Sequence, residues 1–406
     1  MTHLNSHTRL TQLRRVADNM DHVRIPLNAE ERSTRQGEIP YWGANSVVDY
    51  VDHPLIAGEL VLIGEDGAPF LDPLSPVAFA TNEPIWPNNH IHVLRPRRNV
   101  DHRYLAYALN SVDYSRYIKG STRDKLNQSE LSSIQLLIPS LDSQHYTADF
   151  LDRETAEIDA LVADFHQATA LTEEALRSSM HSIFSHSVEP FSNARLKMLA
   201  TLKSGSGFPN SEQGATDFEL PFFKVGNLKE AVGGYLNRAP NTISRPTARA
   251  LGASILKPGT IIMAKIGAAM RLNRNAIVSQ PSCIDNNLLS IATSDDIAPE
   301  YLAHYLAGLD LSPFILPGAV PSLDITAFGN TSIPLPHRNR QMEIAESIRG
   351  ALDDSTQAIH ELDLAITLAK ERRAALITAA VTGQIDVTAK RRPAAEQLED
   401  DIKELS

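Results

Sequence analysis

Apolar positions in this chain follow two rhythms. In one, short runs such as Leu60–Ile63, Ile91–Leu94, Ile261–Ala264 and Leu288–Ile291 are separated by turns rich in glycine, proline and asparagine. Such runs predict short strands of mostly-β globules. Each globule closes with a short helix, Arg103–Lys119 or Pro299–Leu309, and a strand that ends in Pro139 or Pro336. In the other rhythm, Asp142–His186 contains no proline or glycine, and Asn339–Thr382 contains only Gly350. Along the second stretch, Ile344, Ile348, Leu352, Ser355, Ile359, Leu362, Ile366 and Ala369 recur at steps of four and three, a heptad-like seam. The first has a looser version through Ile158, Leu161, Phe165, Ala168, Ala175 and Met180. Helices of this length would span roughly 65 Å. Two such helices, each with one apolar stripe, predict pairing with each other. Packing of each on its own globule is the alternative.

The same order occurs twice. Shifted by 197 residues, Tyr104, Leu105, Ala106, Leu109, Asp113, Ser115, Ile118, Leu126, Pro139 and Gln144 fall on identical residues, from Tyr301 to Gln341. Ten identities in the 41 positions from 104 to 144 exceed the roughly two or three that composition alone gives. Upstream the offset shifts, yet IPYWGANSV (39–47) matches LPFFKVGNL (220–228), and GELVLIGEDG (58–67) matches GTIIMAKIGA (259–268). The expected class is α+β, a pseudo-two-fold internal repeat of two mostly-β domains separated by two long helices. Expected boundaries are 1–141 and 191–338 for the domains, 142–190 and 339–387 for the helical regions, and 388–406 for an acidic, flexible tail.

Composition narrows the function. The 406 residues include one cysteine, Cys283, which excludes a disulfide framework and a cysteine-based zinc site. No apolar run approaches the ~18–20 residues of a membrane span, and the opening residues MTHLNSHTRLTQLRR do not read as a secretory signal. A cytoplasmic protein with no membrane partner is expected. The net charge of −11 hides an uneven distribution. Asp142–Pro190 has ten acidic residues against two basic, whereas Arg195–Asn275 has twelve basic against four acidic, and Arg95–Lys125 eight against three. Local basic clusters can neutralise phosphates, because screening limits the reach of charge to about 10 Å; a solvated basic face is the plainer reading.

Several stretches resemble a known family. KERRAALITAAVTGQIDV (370–387) resembles the carboxy-terminal helix ending of type I restriction–modification specificity subunits. LKMLATLKSGSGFPNSEQGATDFELPFFKVGNLKE (196–230) resembles the opening of many of their target-recognition domains. IPLNAEERSTRQGEIPYWGANSVVDYVD (25–52), with LVLIGEDGA (60–68) and NNHIHVLRP (88–96), resembles another subfamily of that domain. The resemblance implies two target-recognition domains held on an antiparallel helical coiled coil, each reading half of a split site in double-stranded DNA. It further implies two modification (methyltransferase) subunits on the helical regions, restriction (translocase/endonuclease) subunits joining them, and no catalytic site here. No cofactor is then expected in this chain; S-adenosylmethionine and ATP belong to the partner subunits. EEALRSSMHSIFSHSV (173–188) departs from the pattern that ends the second helix.

Candidate DNA-reading residues follow from base chemistry, with Arg or Lys suited to guanine, Asn or Gln to adenine, and Asp or Glu to cytosine. In the first domain these are Arg24, Arg32, Arg35, Trp42, Asn45, Asn89 and His90; in the second, Lys203, Ser204, Lys224, Asn227, Lys265, Arg271, Arg274 and Asn286. About half are expected to be structural or to touch phosphate only, and Asn89 and Asn286 are equally readable as buried turn residues. Glu65-Asp66 reads as a turn whose carboxylates could also accept from a cytosine amino group. KSGSGF (203–208) faintly resembles a glycine-rich cofactor loop, but no strand–loop–helix unit surrounds it. His90 and His92 share a strand face without neighbouring acidic or cysteine ligands in sequence, so no metal is expected. A stand-alone DNA-binding scaffold and a fused DNA-modifying enzyme are the competing functional readings.

Overall fold

Strands with continuous apolar sequence need cover on both faces, and the structure supplies it twice. The computed structural model describes residues 9–118, 124–186, 192–388, 397–398 and 401–402. The chain forms two compact units, Met1–Ala168 with Glu361–Ser406, and Thr169–His360.

The first unit contains β1 (Arg9–Gln12), β2 (Ala17–Asn19), α1 (Ala29–Ser33), β3 (Gln36–Trp42), β4 (Val47–Val51), β5 (Leu60–Gly64), β6 (Ala78–Thr81), β7 (Trp86–Pro87), β8 (Ile91–Pro96), α2 (His102–Asn110), α3 (Gln128–Ser133), β9 (Gln135–Ile138) and the first part of α4 (Leu141–His186). Its sheets run β2-β8-β5-β6 and β4-β3-β7, with β1 and β9 as a separate ribbon. Every residue of β5 is buried. Side chains alternate across a strand: Val61 and Ile63 join Tyr104, Leu105 and Leu109 of α2 in one core, while Leu60 and Leu62 join Ile56, Ile85 and Ile91 in another.

The second unit repeats the plan with β10 (Ser192–Arg195), α5 (Leu196–Leu199), β11 (Ala200–Ser204), β12 (Leu220–Phe223), β13 (Tyr235–Leu236), β14 (Thr242–Ile243), α6 (Arg245–Ala250), β15 (Ile261–Ala264), β16 (Asn275–Val278), β17 (Cys283–Ile284), β18 (Leu288–Thr293), α7 (Pro299–Ala307), β19 (Ile315–Leu316), β20 (Ser322–Leu323), α8 (Ile325–Gly329), β21 (Ser332–Leu335) and part of α9 (Arg338–Val381). A five-stranded sheet runs β11-β18-β15-β16-β13, and a smaller one β14-β12-β17. Here Ile261 and Met263 meet Tyr301, Leu302 and Leu306, while Ile262 and Ala264 face Phe223, Leu228 and Ile284.

Three expectations shift. The helix expected over Arg103–Lys119 stops at Asn110, because the Asp113 carboxylate accepts from the Ser115 N–H at 3.0 Å and starts a separate turn; Lys119 lies outside the described residues. The strand repeat is offset by 200 rather than 201: the Glu65 and Lys265 N–H groups donate to the His90 and Asn287 carbonyls, making Glu65 the counterpart of Lys265. On α4 the seam passes through half-buried Thr172 and Leu176, and Ala175 is exposed. The expected tail, 388–406, lies mostly outside the described residues.

Within the first unit the long helices run antiparallel. Ile158 shares a cluster with Ala369, and Asp159 accepts from Arg373 at 2.8 Å; nearer the start of α4, Ala148, Phe150 and Leu151 share the core with Ile377, Ala380 and Val381. Within the second unit Met180 packs into the core that holds Ile344, Ala345 and Ile348.

The polar identities of the repeat make equivalent hydrogen bonds in the two units. Gln144, fully buried, accepts the Asp101 N–H at 3.0 Å and donates to the carbonyls of Asn99 and Pro139 at 3.2 and 2.9 Å. Gln341, equally buried, accepts from Ala298 at 2.7 Å and donates to Asp296 and Pro336 at 3.0 and 2.8 Å. Tyr104 and Tyr301 donate to the Leu137 and Pro334 carbonyls at 2.8 and 2.9 Å. A carboxamide, with both donor and acceptor atoms, is what these unpaired backbone groups need. Gln144→Ala or Gln341→Ala should therefore cost about 2 kcal/mol or more, read as a lower urea midpoint; a loss below about 0.5 kcal/mol would contradict this role.

Candidate nucleic-acid interface

Because β5 and β15 are covered on both faces, polar side chains reach solvent where the strands end. In the first unit, Gly64 at the end of β5 lies opposite Ile91 at the start of β8. The turn before β8 is held by Asn88, buried, whose Oδ1 accepts the His90 N–H at 2.7 Å and whose own N–H donates to the Trp42 carbonyl at 3.1 Å. That leaves Asn89 exposed. The turn carrying exposed Asn45 passes close to Gly64, where a Cβ would lie 2.9 Å from the Ala44 carbonyl. Arg24, Trp42, Asn45, Asn89 and His90 thus gather at one edge.

An ion-pair network underlies that edge. Arg24 Nη1 is 2.5 Å from Glu65 and donates to the Ile91 carbonyl at 3.1 Å; Lys125 Nζ reaches the other Glu65 oxygen at 3.1 Å. Asp66 pairs with His90. Asp21, 8% exposed, accepts from His92 Nδ1 at 2.6 Å, Val93 N at 3.0 Å, Asn19 Nδ2 at 3.0 Å and Gln128 Nε2 at 2.8 Å. Fully buried His92 faces the Leu126 carbonyl with Nε2 at 2.8 Å. Both ring nitrogens therefore have polar partners inside the protein. Burial alone would raise the Asp21 carboxyl, but the hydrogen bond and charge of His92, with the bonds from Val93 and Asn19, outweigh it and hold it at about 2. Burial opposes ionisation of Glu65 too, and hydrogen bonds from Arg24 and Lys125 outweigh it, so its carboxyl lies below its ordinary value.

The expectation that no acidic group neighbours the two histidines is thus corrected by the fold: Asp21, Glu65 and His92 offer ligand atoms within 4.8 Å of one another. With Arg24 and Lys125 already on these carboxylates, the geometry fits an ion-pair cluster better than a metal site. Arg32 and Arg35 lie elsewhere, on the smaller sheet. Arg32 pairs with Asp49 at 2.9 Å and stands 5.3 Å from the Tyr41 ring centre, and Arg35 stands 5.7 Å from that of Trp86.

In the second unit, Ser204 ends β11 opposite Leu289 and Ala264 ends β15 opposite Leu288, while β12 ends at Phe223 beside Ile284. Lys203, Ser204, Lys224, Lys265 and exposed Asn286 are therefore placed at one edge, and the loop bearing Arg271 and Arg274 leaves from it. Buried Asp285 takes the turn role of Asn88, accepting the Asn287 N–H at 2.9 Å. Burial pushes the Asp285 carboxyl up, with hydrogen bonds from Asn287 and the charge of Lys224 opposing. Lys224 Nζ lies 5.2 Å from the Phe208 ring centre. Asn227 is buried and accepts the Lys224 N–H at 2.8 Å, fixing the loop rather than facing solvent. The glycine of KSGSGF that matters is Gly205, where a Cβ would lie 2.1 Å from the Asp285 carbonyl oxygen. Close backbone passage, not a cofactor, explains it.

Sequence reasoning overlooked Asp21, Lys125, Gln128 and Asp285, and named His92 only in setting a metal aside. Asp21's lowered carboxyl favours folding above its ordinary value near 3.8, and that contribution is lost as pH falls toward about 2. The difference corresponds to about 2 kcal/mol. Asp21→Asn should therefore destabilise the first unit at pH 7, and the gap from the parent should shrink between pH 4 and 2 in urea titrations. A gap that stays constant down to pH 2 would contradict the assignment.

Residues 23–163 match the family model of the type I restriction modification DNA specificity domain. A curated type I restriction enzyme specificity subunit of Haemophilus influenzae is 35% identical over 141 residues. The match takes in 35% of this chain and 36% of that relative, so the chain spans about a third of the relative's length. A chain from a solved structure, described as showing complex assembly and conformational transition of the type I R-M system, aligns over 94% of this chain and 99% of itself, with a TM-score of 0.69 and 14% identity. That likeness concerns the fold, and it extends through both units. The crystal structure of the HsdS subunit from Thermoanaerobacter tengcongensis aligns over 94% of this chain and 98% of its own, with a TM-score of 0.46 and 16% identity. Among the described residues no helix is long and apolar enough to cross a membrane. The sequence likeness to type I restriction modification DNA specificity domains is carried by residues 23–163, and beyond them the likeness is one of fold.

Proposed function

We propose that this chain is the DNA sequence-specificity subunit of a type I restriction–modification complex and carries no catalytic site of its own. The domains spanning 1–141 and 191–338 each read one half of a split, asymmetric site in double-stranded DNA. The helical regions set the spacing between the halves and dock two modification subunits, which carry S-adenosylmethionine. Restriction subunits carrying ATP complete the complex. One observation supports this reading above the others. In both units a buried Asx residue, Asn88 or Asp285, holds a turn that leaves the next residue, Asn89 or Asn286, exposed at the edge where basic side chains collect. Amides suit adenine and cations suit guanine or phosphate.

The two edges differ in a way that favours different half-sites. Glu65 and His90 in the first unit correspond to Lys265 and Asn287 in the second. An acceptor set among paired cations and a half-buried lysine present opposite chemistry to a groove.

Binding by the assembled complex should weaken as salt rises, because released counterions supply much of the affinity. Lys265→Ala should weaken binding to all sequences alike and flatten the salt dependence by about one phosphate contact. Asn286→Ala should instead relax preference at one base pair, costing about 1–3 kcal/mol on the cognate site alone. Titrating cognate and single-substituted duplexes at several salt concentrations separates the two. Uniform, salt-independent effects of both variants would count against DNA reading at this edge.

A further inference from the structure

In the first unit the apolar face of the helical pair already carries a ligand, the chain's own C-terminal segment. Leu398 is fully buried in a cluster with Ile158 of α4 and Ala369 of α9; Ile402 packs there with Leu161, Val162, Leu368 and Leu376. Arg372 Nη2 donates to the Gln397 side-chain carbonyl at 2.7 Å. Residues 397–398 and 401–402 are helical, and Leu398 and Ile402 reach the same cluster. The sequence around them is acidic, with Glu399, Asp400, Asp401 and Glu404, and the cation of α9 that meets the segment is Arg372.

The internal repeat supplies a control. At the offset of 197, Ile158, Leu161, Ala369, Arg372 and Leu376 correspond to Ser355, Ala358, Thr172, Ala175 and Ser179. In the second unit Leu171, the counterpart of Leu368, is 55% exposed, and the Ser355 hydroxyl is buried without a hydrogen-bond partner. The basic residue that holds Gln397 is missing there, and a leucine would meet a hydroxyl where Leu398 meets Ile158. The segment is fitted to one of the two pseudo-equivalent faces.

We propose that this C-terminal segment is a built-in competitor: it closes the first unit's helical face against a partner helix of like chemistry, an apolar stripe flanked by acidic residues. The inference rests on the proposed docking of modification subunits to the helical regions. Those two subunits then meet unequal faces. Among the described residues the second unit's face leaves Leu171 exposed, and the first unit's is freed when Leu398 and Ile402 leave.

The test compares the full chain with its Leu398→Asp, Ile402→Asp double variant, each titrated with the purified modification subunit of its own system by calorimetry and mass photometry. The full chain should show two binding events separated by roughly tenfold or more, and the variant should bring the weaker event close to the stronger. An unchanged separation, or weaker binding by the variant, overturns the proposal. If no modification subunit binds either protein, the docking reading fails, and a second arm decides the competitor. A fluorescein-labelled peptide of residues 388–406 should bind the double variant saturably, less well when the variant also carries Arg372→Glu, and not at all when the peptide carries Leu398→Asp. Absence of saturable peptide binding overturns the built-in ligand.

Discussion

A strand covered on both faces has no lateral surface on which to place chemistry, and in each unit the central strand is so covered. β5 and β15 send alternate side chains into two separate cores, one beneath the short helix α2 or α7 and one against the smaller sheet. Every polar group along these strands would need a partner inside the protein. Polar residues therefore collect where the strands stop. The turn before β8 or β18, the exit of β5 or β15 and the exit of β3 or β12 all end at one edge, and the candidate interface is the consequence of that confinement. The same constraint accounts for the network around Asp21: His92 points inward from β8 and finds a carboxylate and a carbonyl rather than solvent.

The repeat divides the molecule into what is kept and what is changed. Kept are the carboxamides of Gln144 and Gln341, which tie the start of a long helix to the chain before the short helix, the hydroxyls of Tyr104 and Tyr301, which tie the short helix to the last strand, and the local caps at Asp113 and Asp310. Changed are the edges, where Glu65 gives way to Lys265 and Asn88 to Asp285. A scaffold that holds its geometry by buried hydrogen bonds is free to vary exposed residues at strand ends, since these bear little of the folding energy. Two copies of such a scaffold in one chain permit two unlike edges.

Much of this architecture was legible in the sequence. Strands buried on both faces appear as unbroken apolar runs, and the seam from Ile344 to Ala369 announced a paired helix. The offset of 197 placed Gln144 on Gln341 without revealing why glutamine was needed, because its partners are backbone groups. Less legible were contacts between residues far apart in the chain. Asp21 and His92 lie 71 positions apart and Arg24 and Glu65 lie 41 apart, and nothing local in either segment marks the pairing. Arg32 and Arg35 looked like their neighbour Arg24, yet α1 and the turn after it set them against the smaller sheet. Asn89 and Asn286 were readable either way; the buried turn role falls to the residue before each.

The central claim is that each unit reads its half of the target independently. The direct measurement is the methylated motif, by genome-wide detection of modified adenine, in cells whose complex contains either this chain or a version with residues 20–140 replaced by another recognition domain. The account predicts a split, asymmetric motif in which the replacement alters one half and leaves the other and the gap unchanged. A continuous motif, or a change in both halves, would contradict it.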